Sequence, residues 1–90
     1  MKADKAKVTR LLKTARGQID GILKMIEEDQ YCVDISNQIM ASEAILRRAN
    51  KEVIRAHMEH CVKDAFQGND PQEMATKIDE VMSILDKMSK

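Results

Sequence analysis

The chain has 90 residues, two cysteines, two histidines, and 15 basic against 15 acidic side chains, for a formal net charge of zero. A chain of that length makes a single domain over residues 1–90, with too little buried apolar surface to be very stable alone. Two cysteines exclude a disulfide scaffold and no apolar run reaches membrane length, so the expectation is a reduced, cytoplasmic setting with no membrane partner.

Glycine and proline are scarce, the aromatics are only Tyr31 and Phe66, and Ala, Leu, Ile, Met, Glu and Lys dominate. That composition favours helix over strand. A first helix is expected over about 4–28, with apolar positions Val8, Leu12, Ala15, Ile19, Ile22 and Ile26 at alternating steps of four and three. A second helix should follow over about 32–67, with Ile35, Ile39, Ser42, Leu46, Ala49, Val53 and Ala56 in the same alternation. "QGNDPQE" then stops one helix and starts the next: Gly68 as C-cap, Asp70 as N-cap and Pro71 at the first helical position. A third helix covers about 71–88 on Met74, Ile78, Val81, Leu85 and Met88. The steady period near 3.5 residues predicts helices packed nearly parallel or antiparallel in a bundle.

The second helix decides the predicted architecture. Thirty-five residues at about 1.5 Å each span about 50 Å, longer than the core of a 90-residue monomer. Val33, Met40, Ala44, Ile45, Ile54 and Met58 give it a further apolar face. The first helix covers one face, and another subunit is the natural cover for the other; the plainer alternative is a monomer with a bent second helix. The expected fold is all-α: a long helix 1–helix 2 hairpin plus a short helix 3, paired into an antiparallel four-helix-bundle homodimer.

Charge is segregated. Lys2, Lys5, Lys7, Arg10, Lys13 and Arg16 stand near the start, and Arg47, Arg48, Lys51 and Arg55 in the second helix. In an antiparallel hairpin whose facing residues have numbers adding to about 60, Lys13 falls beside Arg47, Arg10 beside Asn50 and Lys5 beside Arg55. The two clusters are expected to merge into one face fit for a phosphate backbone, with Arg10, Lys13, Arg16, Arg47, Arg48, Lys51 and Arg55 as its contacts. With no helix-turn-helix or zinc-finger spacing, DNA contact would rest on backbone charge and shape. A charge run also reads simply as a solvated face.

"AHMEHC", residues 56–61, holds both histidines and one cysteine. His57 and Cys61, at i and i+4, share one helix face, while His60 points about 60° away. Cys32 lies 25 residues earlier, about 37 Å along a continuous helix, so no single subunit brings it to His57. An antiparallel dimer does, giving two symmetric sites of two sulfurs and one imidazole. That donor set suits a soft ion, cuprous copper before zinc. On spacing alone the cysteines read equally as core filling. No Gly-rich phosphate loop or serine triad is present, and a small helical chain offers little cleft for a substrate, so no enzyme is expected.

"ARGQIDGILKMIEEDQYCVDISNQIMA" followed by "HMEHCVKDA" resembles the CsoR/RcnR family of bacterial ligand-sensing repressors. The likeness runs over residues 10–66 and more loosely through the third helix, on Gly17-Gln18, Tyr31-Cys32-Val33-Asp34, Gln38, and His57 with Cys61. It implies a dimer of antiparallel hairpins, a homotetramer built as a dimer of dimers, and operator double-stranded DNA released when ligand binds. Copper sensors are similar to this chain at Cys32, His57 and Cys61, with Tyr31 and a third-helix glutamate, Glu80, supporting the ligands. The extra histidines of the nickel/cobalt sensors are absent. Formaldehyde sensors have proline where this chain has Lys2 and lack the last cysteine. Persulfide sensors keep both cysteines, usually without the histidine. The chain departs from the family at Leu11 and Thr14, often basic in relatives, and in a longer "GNDPQEMATK" connection.

The resulting expectation is a repressor that binds operator DNA as apo-protein and releases it on binding Cu(I). The alternative is a persulfide sensor working through Cys32 and Cys61 with no cofactor. A more distant one is a metal-buffering or structural helical oligomer that never touches DNA.

Overall fold

The computed structural model describes residues 1–88, and they form helices joined by short turns. Helix α1 spans Lys5–Glu27 and α2 spans Cys32–His57. A π-helical turn, Met58–Val62, continues α2 into the short α3, Lys63–Gln67, and α4 spans Pro71–Met88. Among the described residues there is no strand.

Local chemistry sets the helix ends. The Asp4 carboxylate accepts from the backbone N–H groups of Ala6 and Lys7 at 3.0 and 3.2 Å and caps α1. At the other end Asp29 takes a left-handed conformation, φ 53°. The Asp29 N–H then donates to Ile26 O and the Gln30 N–H to Met25 O, a Schellman closure built without glycine. Only residues 28–31 separate α1 from α2, and so short a link folds them back antiparallel. At the start of α4 the Asp70 carboxylate accepts from Gln72 N–H at 3.0 Å, with Pro71 in the first turn as expected. Gly68 does follow α3, but the left-handed residue is its neighbour Asn69, φ 58°, so the conformational freedom of glycine is not what ends the helix.

The hairpin core is thin: Val8, Leu11, Ala15 and Ile22 from α1 against Ser42 and Ala49 from α2. Two side-chain contacts pin its register near the expected one. Lys7 Nζ meets Glu52 Oε1 at 3.1 Å, and the Ser42 hydroxyl donates to Gln18 Oε1 at 3.0 Å. The seam itself is rotated from the expected one. Leu11 is buried, whereas Leu12, Ile19 and Ile26 are 46, 43 and 52 % exposed, together with Ile39 and Leu46 of α2. Two helices touch along a single line, and the rest of each wide apolar stripe is turned to one flank of the hairpin.

The long expected helix is therefore one helical path, 32–67, whose winding changes at the π turn. Beyond it α4 folds back, packing on the π turn and α3 and burying no residue fully. The molecule measures 59 × 28 × 13 Å, with a radius of gyration of 17.9 Å. A compact domain of this length has about 12 Å. The protomer is thus a slab one helix thick, with its apolar flank uncovered.

Candidate metal site and nucleic-acid interface

His57 closes α2 and Cys61 sits inside the π turn, both half-buried on one helical path. The fold-back of α4 brings Glu80 over them, and Glu80 Oε1 contacts His57 Nε2. Lys77, one turn before Glu80, places Nζ 3.4 Å from its other oxygen. The His57 hydrogen bond holds the Glu80 carboxyl below the usual carboxylate range, and Lys77 adds to that against the opposing cost of partial burial. In the tautomer whose proton is on Nε2, that N–H donates to an ionised Glu80 and Nδ1 is the ring's free lone pair. His60 is exposed.

The other two residues singled out for this site lie at the opposite end of α2. Cys32 is its first residue, an exposed free thiol, and Tyr31 beside it is 68 % exposed. Twenty-five residues of helix separate Cys32 from His57, about 37 Å. Among the described residues no cluster of three or more His, Cys, Asp or Glu side chains is gathered for a metal. One protomer thus carries a two-donor half, His57 with Cys61, and a lone donor at its far end. Two thiolates and one imidazole, the set that His57 and Cys61 would make with Cys32 of a second chain, fit a soft monovalent ion. Sequence reasoning missed Lys77 and the π turn. The first had a signal, the three-residue spacing to Glu80; the second had none.

The basic residues divide more than expected. Arg10 and Lys13 line an open groove with Lys5, Thr9 and Thr14, all on α1. Arg47 lines another with Glu43, Leu46, Asn50, Lys51 and Met88. Arg48 and Lys51 share a third with Lys7, Leu11 and Glu52, between α1 and α2. Arg16 is exposed on α1. Arg55 is engaged by two carboxylates, Glu52 at 3.1 Å and Glu59 at 3.2 Å. The expected merger of Lys13 with Arg47 does not occur, for a simple reason. Facing numbers fix height along a hairpin, not direction. Lys13 and Arg47 each precede a buried alanine, Ala15 and Ala49, by two residues, about 200° of helix, so both point away from the shared core on opposite edges.

A family model described as "Metal-sensitive transcriptional repressor" matches residues 4–87. The copper-sensing transcriptional repressor CsoR of Bacillus subtilis (strain 168) is 36 % identical over 87 residues, 97 % of this chain and 83 % of the relative. The copper-sensing repressor CsoR of Mycobacterium tuberculosis (strain ATCC 25618 / H37Rv) is 44 % identical over 63 residues, 70 % of this chain; the match spans about half, 53 %, of that relative's length. Among solved structures, the copper-sensing repressor CsoR with Cu(I) from Geobacillus thermodenitrificans NG80-2 superposes with a TM-score of 0.84 at 29 % identity, covering 100 % of this chain and 94 % of that one.

Proposed function

The chain belongs to the metal-sensitive transcriptional repressors, and from that premise we propose that it is a copper(I)-responsive repressor, a single sensing and DNA-binding domain that holds operator DNA as apo-protein and releases it when cuprous ion binds. The observation that carries this reading is the division of soft donors between the two ends of α2, with His57 and Cys61 at one end and Cys32 at the other. In an antiparallel homodimer, Cys32 of one protomer meets His57 and Cys61 of its partner, twice by symmetry. Tyr31, next to Cys32, arrives with it. The uncovered flank of Leu12, Ile19, Leu23, Ile26, Ile39 and Leu46 is the apolar surface that such a dimer buries. Two dimers make the proposed tetramer.

Cys32 of one protomer with His57 and Cys61 of its partner would hold the cuprous ion, which would supply a soft acceptor for thiolate and imidazole donors. The chain's own residues do the rest. Glu80 fixes the His57 tautomer and orients Nδ1. Because Glu80 lies on α4, any change at His57 is felt by the arm that packs on the π turn. Release of DNA requires that the ion favour the weak-binding arrangement of the subunits by its differential affinity for the two states. Repression places the protein with the DNA, in the cytoplasm, and gives it no enzymatic step.

The test is a duplex selected by the apo-protein from a random pool. Cu(I), delivered from a buffering chelator, releases that duplex from wild type. His57→Ala retains the oligomer and DNA binding but loses the release. Copper-driven release surviving His57→Ala would sink the metal reading. One observation favours a persulfide-sensing second reading: both cysteines are free, and Cys32 is open to solvent. A persulfide donor titrated in parallel separates the two, since sulfur exchange between Cys32 and Cys61 needs no imidazole ligand.

A further inference from the structure

The cleft between α1 and α2 gathers three cations, Lys7, Arg48 and Lys51, around a single carboxylate, Glu52, over an apolar floor at Leu11. Its volume is about 150 Å³. Lys7 is tied to Glu52 Oε1 at 3.1 Å. Glu52 Oε2 receives Arg55 at 3.1 Å, and Arg55 remains bound to Glu59 at 3.2 Å on its other nitrogen. No carboxylate lies within salt-bridge distance of Arg48 or Lys51 among the described residues.

We propose that this cleft is a phosphate-binding cleft of the DNA interface, in which the Glu52 carboxylate stands where a DNA phosphate would and withholds Lys7 from it. Resting on the DNA-binding reading above, the proposal assigns what that reading leaves open: which cations count. A carboxylate and a phosphodiester present the same chemistry to a lysine, two anionic oxygens within hydrogen-bond reach. Glu52 engages Lys7 at 3.1 Å, because both sit on the hairpin at facing heights, and the pair also pins α1 to α2. Arg48 and Lys51 remain for the phosphate. A fixed negative charge beside them weakens attraction to every phosphodiester alike. It therefore lowers binding to bulk DNA, the background against which a repressor must find one site.

The experiment measures binding of full-length protein to a random-sequence duplex by fluorescence anisotropy between 50 and 200 mM salt. Such binding is almost wholly phosphate contact, and each contact contributes about 0.9 to the slope of log affinity against log salt. Glu52→Gln keeps the side-chain shape and removes the charge. It is expected to bind more tightly and to steepen the slope by about 0.9 for each protomer in contact. The advantage over wild type then shrinks about three- to fourfold per protomer across that salt range. Adding Lys7→Gln to Glu52→Gln should return the slope to the wild-type value, whereas Lys7→Gln alone should leave it unchanged. The single Lys7→Gln result stands even where Glu52→Gln loosens the hairpin. An unchanged or shallower slope in folded Glu52→Gln overturns the inference, as does a loss of slope in Lys7→Gln alone. If wild type itself shows no salt-dependent binding to duplex, the DNA-binding reading falls, and this inference with it.

Discussion

The two ends of α2 are built on different terms. At the C-terminal end the helix widens into a π turn, α4 folds back across it, and His57 is held by Glu80, which is held in turn by Lys77. At the N-terminal end Cys32 and Tyr31 stand in solvent, and no side chain caps the helix. One end is organised by its own chain. Among the described residues, no side-chain hydrogen bond caps the other. On the proposed reading, Cys32, exposed and unsupported in its own chain on a slab whose apolar flank is also bare, is a donor completed by a second subunit.

The largest effect expected from this comparison is complementation. Cys32→Ser and Cys61→Ser should each abolish copper-driven release as homo-oligomers. Mixed and refolded together, they should regain part of it, because one of the two sites in a mixed antiparallel dimer then has both sulfurs. Absence of any recovery, with subunit exchange verified by mass spectrometry, would break the two-ended site.

A large but graded effect is expected at the organised end. Glu80→Gln keeps the size of the side chain but weakens its grip on the His57 ring, and copper affinity should fall about tenfold to a hundredfold, the usual loss for a group that orients a ligand. A competition titration with a cuprous chelator reads it. The same measurement on Tyr31→Phe tests whether the bare end acquires an equivalent support only in the dimer.

A smaller effect separates the basic residues. Arg48→Gln should lower the salt slope of DNA binding by about 0.9 for each protomer in contact. Arg55→Gln should leave it unchanged, since Arg55 is already shared by Glu52 and Glu59. Equal losses at the two positions would show that both reach phosphate.

The smallest effect is on stability against pH. The hydrogen bond from Lys7, followed by that from Arg55, holds the Glu52 carboxyl below its ordinary value of 4.5, against a smaller cost of desolvation. A carboxyl held low in the folded state stabilises fully above that ordinary value and ceases to as pH falls through the lowered one. Thermal melts of wild type and Glu52→Gln should therefore differ at neutral pH and converge on acidification. Divergence in acid would contradict the pairing. Asp70→Ala, the loss of one cap, should cost about 1 kcal/mol and act on α4 alone, so amide exchange in α4 should quicken while the hairpin is unaffected.

Much of this was legible in the amino-acid order because its causes are local. Asp70 and Pro71 announce α4, and it runs Pro71–Met88, against an expected 71–88. A four-residue break with no room for a crossover makes a hairpin, and the 3.6-residue period places Ala15, Ser42 and Ala49 on facing sides of it. The spacing of His57 and Cys61 and their distance from Cys32 are likewise arithmetic along one helix. Rotation about the helix axes was decided only by the tertiary structure. Whether Leu11 or Leu12 enters the seam depends on how two wide apolar stripes settle against each other. That choice left Arg48 in a cleft with Lys7 and Glu52 and bared the apolar flank. The return of α4 over the π turn, which sets Glu80 on His57, was decided in the same way. Caps and periods depend on neighbours in the chain, and sequence shows them directly. The angle at which one helix faces another comes from many weak contacts between distant residues, and no single residue carries it.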